Sequence, residues 1–183
     1  AALLMANARS VLRGVAASVG RSGQDSPGRL LARVNDVLSQ EMPMDMFVTC
    51  LLVILDPRTG HIRYANAGHN LPYLRTQLGA WELKASGIPL GLFPGLEYEE
   101  KEAQLEPGDS LLMYSDGLVE AHDPQREMFG FPRLRGILSS LTIDSRLEGE
   151  ELIQYLMGQL TEFTGPGWEQ EDDITIVTLS RAI

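Results

Sequence analysis

Gly108-Asp109-Ser110-Leu111-Leu112-Met113-Tyr114-Ser115-Asp116-Gly117 is an apolar run that stops at an Asp-Gly corner. A second acidic corner, Glu171-Asp172-Asp173, opens the run Ile174-Thr175-Ile176-Val177 near the C-terminus. Carboxylates at the ends of rigid strands suit hard divalent cations such as Mg²⁺ or Mn²⁺, which prefer oxygen ligands. Gly117, lacking a Cβ, lets the chain turn sharply and leaves Asp116 facing outward. The two corners read as a metal site with a catalytic role.

Working outward, Ser110–Ser115 is a buried strand reached through the turn Pro107-Gly108-Asp109, and Ile174–Leu179 is the last strand. Phe47–Leu55 and His61–Asn66 form a hairpin about the turn Asp56-Pro57-Arg58-Thr59-Gly60. Leu71–Arg75 and Trp81–Lys84 suggest a second hairpin, and Leu96–Leu105 alternates apolar with acidic residues. Leu4, Ala8, Val11, Leu12, Val15 and Val19 make one helical stripe, ended by Gly20-Arg21-Ser22-Gly23. Ser26-Pro27 supplies an N-cap and a first-turn proline for a second helix carrying Leu30, Leu31, Val34, Val37 and Leu38. Two more helices are predicted at Phe131–Leu141 and Glu148–Phe163, before the Gly165-Pro166-Gly167 break. Mostly antiparallel strands with paired helices imply layered α+β, not a doubly wound parallel sheet.

A chain of 183 residues fits one domain. The net charge of −10 is uneven: residues 1–92 hold 9 basic and 6 acidic side chains, and residues 93–183 hold 6 and 19. That acidity argues against nucleic acid as a partner, which requires a basic surface. Most of it is a solvated acidic face, and part could concentrate cations near a metal site. No apolar run approaches the ~20 residues of a membrane span. The single cysteine, Cys50, excludes a disulfide framework and fits a cytoplasmic location.

Other chemistries lack their signatures. There is no Gly-x-x-x-x-Gly-Lys loop and no Gly-x-Ser-x-Gly elbow, and Cys50 has no neighbouring cradle of Gly and Arg. His61, His69 and His122 lack zinc-site spacing, so a structural role is the default for each. Acidic oxygen ligation remains. Adjacent strand residues point to opposite sides, so one of Asp172 and Asp173 reaches a given metal, and periodicity does not say which.

An ordered set of segments carries a resemblance across nearly the whole chain. It comprises Ala1-Ala2-Leu3-Leu4-Met5, Phe47-Val48-Thr49, Tyr64-Ala65-Asn66-Ala67-Gly68-His69-Asn70, Gly87-Ile88-Pro89-Leu90-Gly91, Tyr114-Ser115-Asp116-Gly117-Leu118-Val119-Glu120-Ala121 and Asp172-Asp173-Ile174-Thr175. Together they resemble the SpoIIE/RsbU branch of the metal-dependent Ser/Thr protein phosphatases, the PPM family with the type 2C fold. The resemblance implies a four-layer αββα architecture, a sandwich of two antiparallel β-sheets flanked by helix pairs. It implies two Mn²⁺ or Mg²⁺ ions, with Asp116 and Asp172 as ligands and catalytic residues. Asp173 would orient Asp172, and Gly117 would be the enabling turn. Asn66, His69, Gly87 and Gly91 would flank the substrate cleft; turn chemistry alone is their alternative. His69 is a weaker candidate for protonating the leaving oxygen.

The implied reaction is hydrolysis of phosphoserine or phosphothreonine on a protein, a phosphorylated anti-anti-sigma regulator of the STAS type. Water attacks phosphorus in line, without a covalent phosphoenzyme. The alternative is a non-catalytic phosphatase-like module that binds or relays. One departure stands out. The family's upstream Gly-Asp-x-x-Gly-His/Lys-Gly segment, whose Asp bridges the metals, is absent. Residues 1–183 would then be a single phosphatase domain lacking its N-terminal strands and first metal-binding motif. The sequence leaves open a homodimer or an attached sensor domain.

Overall fold

The computed structural model describes residues 2–19, 26–43, 46–141 and 147–182. The side chains of Leu4 and Val19 and the helix-ending segment at 20–23 lie outside the described residues. Contacts divide the chain into two compact units, Ala1–His69 with Lys84–Gln104, and Asn70–Leu83 with Leu105–Ile183.

The first unit contains helices α1 (Ala2–Val19) and α2 (Pro27–Glu41) and strands β1 (Cys50–Leu55), β2 (His61–Ala67) and β5 (Glu100–Gln104). Its sheet has the order β1-β2-β5, antiparallel throughout, with Cys50 opposite Ala67 and Ala65 opposite Glu100. The β1–β2 turn closes as predicted, with the Asp56 carbonyl accepting from Gly60 N–H at 2.8 Å. Helix α2 starts where the sequence places it. The Ser26 hydroxyl accepts from Arg29 N–H at 3.3 Å, and Pro27 fills the first turn. The Glu100 carboxylate meets the same helix end, accepting from Gly28 N–H at 3.2 Å and from the Ser26 hydroxyl. A negative charge there is favoured by the helix dipole. A side chain on Gly28 would sit 2.6 Å from the Tyr98 carbonyl, so this glycine lets α2 lie close to the strand. Leu31, Val34 and Leu38 bury against Ala65, Ala67 and Tyr98, with Val11, Leu12 and Val15 of α1 packed alongside. The helical pair is thus a covering layer on this sheet.

The second unit contains β3 (Tyr73–Thr76), β4 (Gly79–Glu82), β6 (Ser110–Tyr114), the short helix α3 (Asp116–Val119), α4 (Gly130–Ser140), α5 (Gly149–Thr164) and β7 (Ile176–Ser180). Its sheet order is β4-β3-β6-β7, again antiparallel. Strand β6 lies between β3 and β7, which explains its unbroken apolar run: Leu111 and Leu112 are at most 1% exposed. Tyr73 stacks on Tyr114, centroids 6.1 Å apart, and both join Leu134, Leu138, Leu152, Leu156 and Leu160 in one core. Helices α4 and α5 therefore cover this sheet as α1 and α2 cover the other.

Most boundaries shift by one or two residues from the sequence reading, two strands differ by more, and one short helix was not expected. The alternating stretch 96–105 pairs only over Glu100–Gln104, because Tyr98 is buried beside Gly28 instead of entering the ladder. The run 47–55 pairs from Cys50 onward, while Val48 forms a lone bridge to Leu90. Helix α3 has four residues, too few to show a period.

Two measurements test this packing. Leu156→Ala leaves a hole in the second core and should cost about 2–5 kcal/mol in urea denaturation. Burial pushes the Cys50 thiol up to about 11. Iodoacetamide at pH 8 should therefore alkylate the folded protein about a hundredfold more slowly than the urea-unfolded chain, because the thiolate is the nucleophile.

Candidate functional site

The last residue of β6 is followed by Ser115, the residue before α3. Its position invites a helix cap, yet its hydroxyl makes no capping bond. It reaches instead to the start of β7, donating to the Asp173 carbonyl at 3.1 Å and accepting from Thr175 N–H at 2.9 Å. The Ser115 N–H donates to the Thr175 carbonyl at 2.9 Å. The two acidic corners are thereby fastened together, though 58 residues separate Ser115 from Asp173.

Gly117 completes the fit. It lies within α3 and has no positive φ, so it does not serve as a left-handed turn. Its contribution is space. A Cβ there would sit 2.6 Å from the Asp173 carbonyl oxygen and 3.4 Å from that of Asp172. Only glycine allows the backbone of the second corner to come this close.

Asp116 and Asp172 are both exposed carboxylates, carried on neighbouring backbone segments. Each has one oxygen turned back on its own chain: Asp116 Oδ1 accepts from Gly117 N–H at 3.0 Å, and Asp172 Oδ1 from Asp173 N–H at 2.7 Å. Neither is in an ion pair among the described residues. Two uncompensated hard oxygen donors fit Mg²⁺ or Mn²⁺, which keep several waters beside one or two carboxylates. Among the described residues no group of three or more His, Cys, Asp or Glu is assembled to hold a metal by itself. Asp173 meets Asp172 and Ser115 through its backbone N–H and carbonyl. A depression of about 230 Å³ opens here, lined by Gly117, Glu120, His122, Trp168, Glu171 and Asp172.

The remaining predicted residues gather in the first unit. The buried Asn66 amide closes its own turn, accepting from His69 N–H at 2.7 Å and donating to the His69 carbonyl at 2.8 Å. The His69 ring Nδ1 lies 3.1 Å from Thr49 Oγ1. Gly87 runs flat against this corner, where a Cβ would be 2.1 Å from the Asn66 carbonyl oxygen. Gly91, at φ 91, donates to Asn35 Oδ1 at 2.9 Å. Each of these positions meets its neighbours through turn geometry or close backbone approach.

Sequence reasoning gave Ser115 no role of its own and left His122 with a default structural one. His122 Nδ1 lies 2.7 Å from Glu171 Oε2, and Arg126 Nη1 donates to Glu171 Oε1 at 2.9 Å. The His122 hydrogen bond is the main reason that the Glu171 carboxyl is held below its ordinary value. Ser115 could have been found from its place ahead of Asp116. His122 and Glu171 could not, since 49 residues separate them.

Comparison with known proteins agrees with this architecture. The family described as Stage II sporulation protein E (SpoIIE) matches residues 1–182. Protein IcfG of Synechocystis is 31% identical over 150 residues, covering 80% of this chain and 23% of that protein. Phosphoserine phosphatase RsbU of Bacillus subtilis is 26% identical over 162 residues, covering 86% of this chain and 46% of RsbU. The chain thus spans 23% and 46% of the length of these two curated relatives. The SiaA-PP2C domain of Pseudomonas aeruginosa superposes with a TM-score of 0.78 at 23% identity, covering 98% of this chain and 69% of that one. That likeness shows the PP2C fold, with the α+β class expected from the strand and helix pattern. The chain belongs to the SpoIIE family, in the SpoIIE/RsbU branch of the metal-dependent PP2C-type Ser/Thr phosphatases.

Proposed function

We propose that this domain hydrolyses phosphoserine or phosphothreonine on a protein, with Asp116 and Asp172 as ligands and catalytic residues for two Mn²⁺ or Mg²⁺ ions. One observation carries the reading: Ser115 and Gly117 bring the backbones of two exposed acidic corners into contact. Such placement of like charges is unfavourable by itself and becomes favourable around a shared cation. When bound, the ions would acidify water and offset charge on the phosphoryl oxygens. The protein's own part is positional. Asp116 leaves the start of a helix that is fixed to β6, and Asp172 leaves a segment fixed to Ser115, so neither carboxylate needs rearrangement as charge develops. Water supplies the new P–O bond, the serine or threonine oxygen leaves, and a proton passes to that oxygen. We assign Asn66, His69, Gly87 and Gly91 to support of the phosphoprotein-binding loops, following the resemblance.

The finer reading of the substrate, a phosphorylated STAS-type anti-anti-sigma regulator in the cytoplasm, follows the family resemblance of the sequence, and likeness to the phosphoserine phosphatase RsbU supports its phosphoserine chemistry. No helix among the described residues is long and apolar enough to cross a membrane.

The full-length protein, incubated with a phosphoserine protein and Mn²⁺, should release inorganic phosphate, and EDTA should abolish release. Asp116→Asn should lower kcat/KM by about a hundredfold or more, with the fold intact by circular dichroism. Metal-independent binding of the phosphoprotein without turnover would instead favour a non-catalytic phosphatase-like module. Gly117→Ala should push the second corner away, costing about 1–3 kcal/mol in stability and shifting the Asp173 and Thr175 amide resonances.

A further inference from the structure

The stretch from Gly165 to Asp173 has no helix or strand, although it carries Asp172. It bends through Gly165 and Gly167, at φ 75 and 81, and Trp168 then packs against the core. On the far side of Asp172, the Asp173 carbonyl is held by Ser115. On the near side, Glu171 is held at both carboxylate oxygens, by His122 at 2.7 Å and Arg126 at 2.9 Å. An ionised carboxylate only accepts, so the proton of this bond lies on His122 Nδ1.

The loop that presents these two partners is itself well determined. Asp123 Oδ1 accepts from Gln125 N–H and Glu127 N–H, each at 2.9 Å. Asp123 N–H donates to the Glu127 carbonyl at 3.0 Å, and Phe129 N–H to the Ala121 carbonyl at 2.8 Å. Phe129 is 2% exposed, edge-on to Phe163 at 5.4 Å, which ties the loop to the core. Arg126 occupies φ 67, a left-handed conformation that a non-glycine residue keeps only where its surroundings impose it. His122, Arg126 and Glu171 line an open depression of about 580 Å³. His122 and Glu171 also line the smaller one that contains Asp172.

We propose that Glu171, gripped by Arg126 and His122, is a positioning residue that fixes the direction in which the Asp172 carboxylate leaves the chain. This rests on the reading of Asp172 as a metal ligand. Each residue has only two soft backbone dihedrals. With Glu171 tethered before it and Asp173 tethered after it, Asp172 keeps little freedom to swing away. Glu171 is not itself offered as a ligand, because both its oxygens are engaged.

The test compares full-length wild type with Arg126→Ala, His122→Ala, Arg126→Lys and Asp172→Asn. The readouts are Mn²⁺ affinity by calorimetry and amide hydrogen exchange over residues 168–173 in metal-free protein. Arg126 is 75% exposed at its side chain, so its truncation leaves the global fold in place, as urea denaturation will verify. Arg126→Ala and His122→Ala should each speed exchange at 168–173 and weaken Mn²⁺ binding about tenfold. Arg126→Lys, which keeps the charge but not the planar fork, should fall between. Unchanged exchange in both alanine variants overturns the latch, whatever the metal does. Faster exchange with unaltered Mn²⁺ affinity, while Asp172→Asn loses the metal, overturns the positioning role and leaves the ligand reading intact. Full Mn²⁺ affinity in Asp172→Asn overturns the ligand reading and the latch with it.

Discussion

The hydroxyl of Ser115 is the interaction on which the acidic corners depend. It accepts from one strand-entry amide and donates to the carbonyl two residues earlier, so a single oxygen fixes the path from Asp173 to Thr175. Because the same residue immediately precedes Asp116, any movement of one corner carries the other with it. Without this bond, β6 and β7 would still pair over Ser110–Tyr114 and Ile176–Ser180. The turn before β7 would then lose its tie at the Asp173 carbonyl, while the Ser115 N–H would still donate to the Thr175 carbonyl.

Glycine contributes to the same constraint from the other side. The absence of a side chain at 117 lets carbonyl oxygens of the second corner approach a helical turn at a distance that a methyl group would forbid. The Asn66 corner shows the same economy in the first unit, where one buried amide satisfies both backbone groups of His69. Buried polar groups are costly unless paired, and the Asn66 amide is paired within its own turn, whereas the Ser115 corner is held by partners distant in sequence.

Much of the scaffold is legible in the residues themselves. Ser110–Tyr114 is apolar because it lies between two strands beneath a helical layer, and Ser26-Pro27 announces its helix by cap chemistry. The Asp56–Gly60 turn is equally local. What the sequence hides is set by distant partners. Gly117 reads as a turn glycine, and only the proximity of Asp172 and Asp173 reveals that it is conserving space. Leu96–Leu105 has strand alternation throughout, but burial of Tyr98 removes its first half from the ladder. His122 and Arg126 look like solvated loop residues until Glu171 is placed beside them. The two carboxylates were legible as candidates for one metal site from their setting at strand ends; the bond that brings their backbones together was not, because it joins residues 60 positions apart.

That separation bears on how the domain comes into being. Local helices and the tight β1–β2 hairpin can form as soon as their own residues are available, whereas the β6–β7 pairing closes a long loop and forms more slowly. On the ribosome, Asp116 emerges well before the strand that brings its counterpart alongside. The nascent chain therefore has a stretch of synthesis during which Asp116 is already made and its counterpart corner is not, so the two cannot meet until the last strand is available.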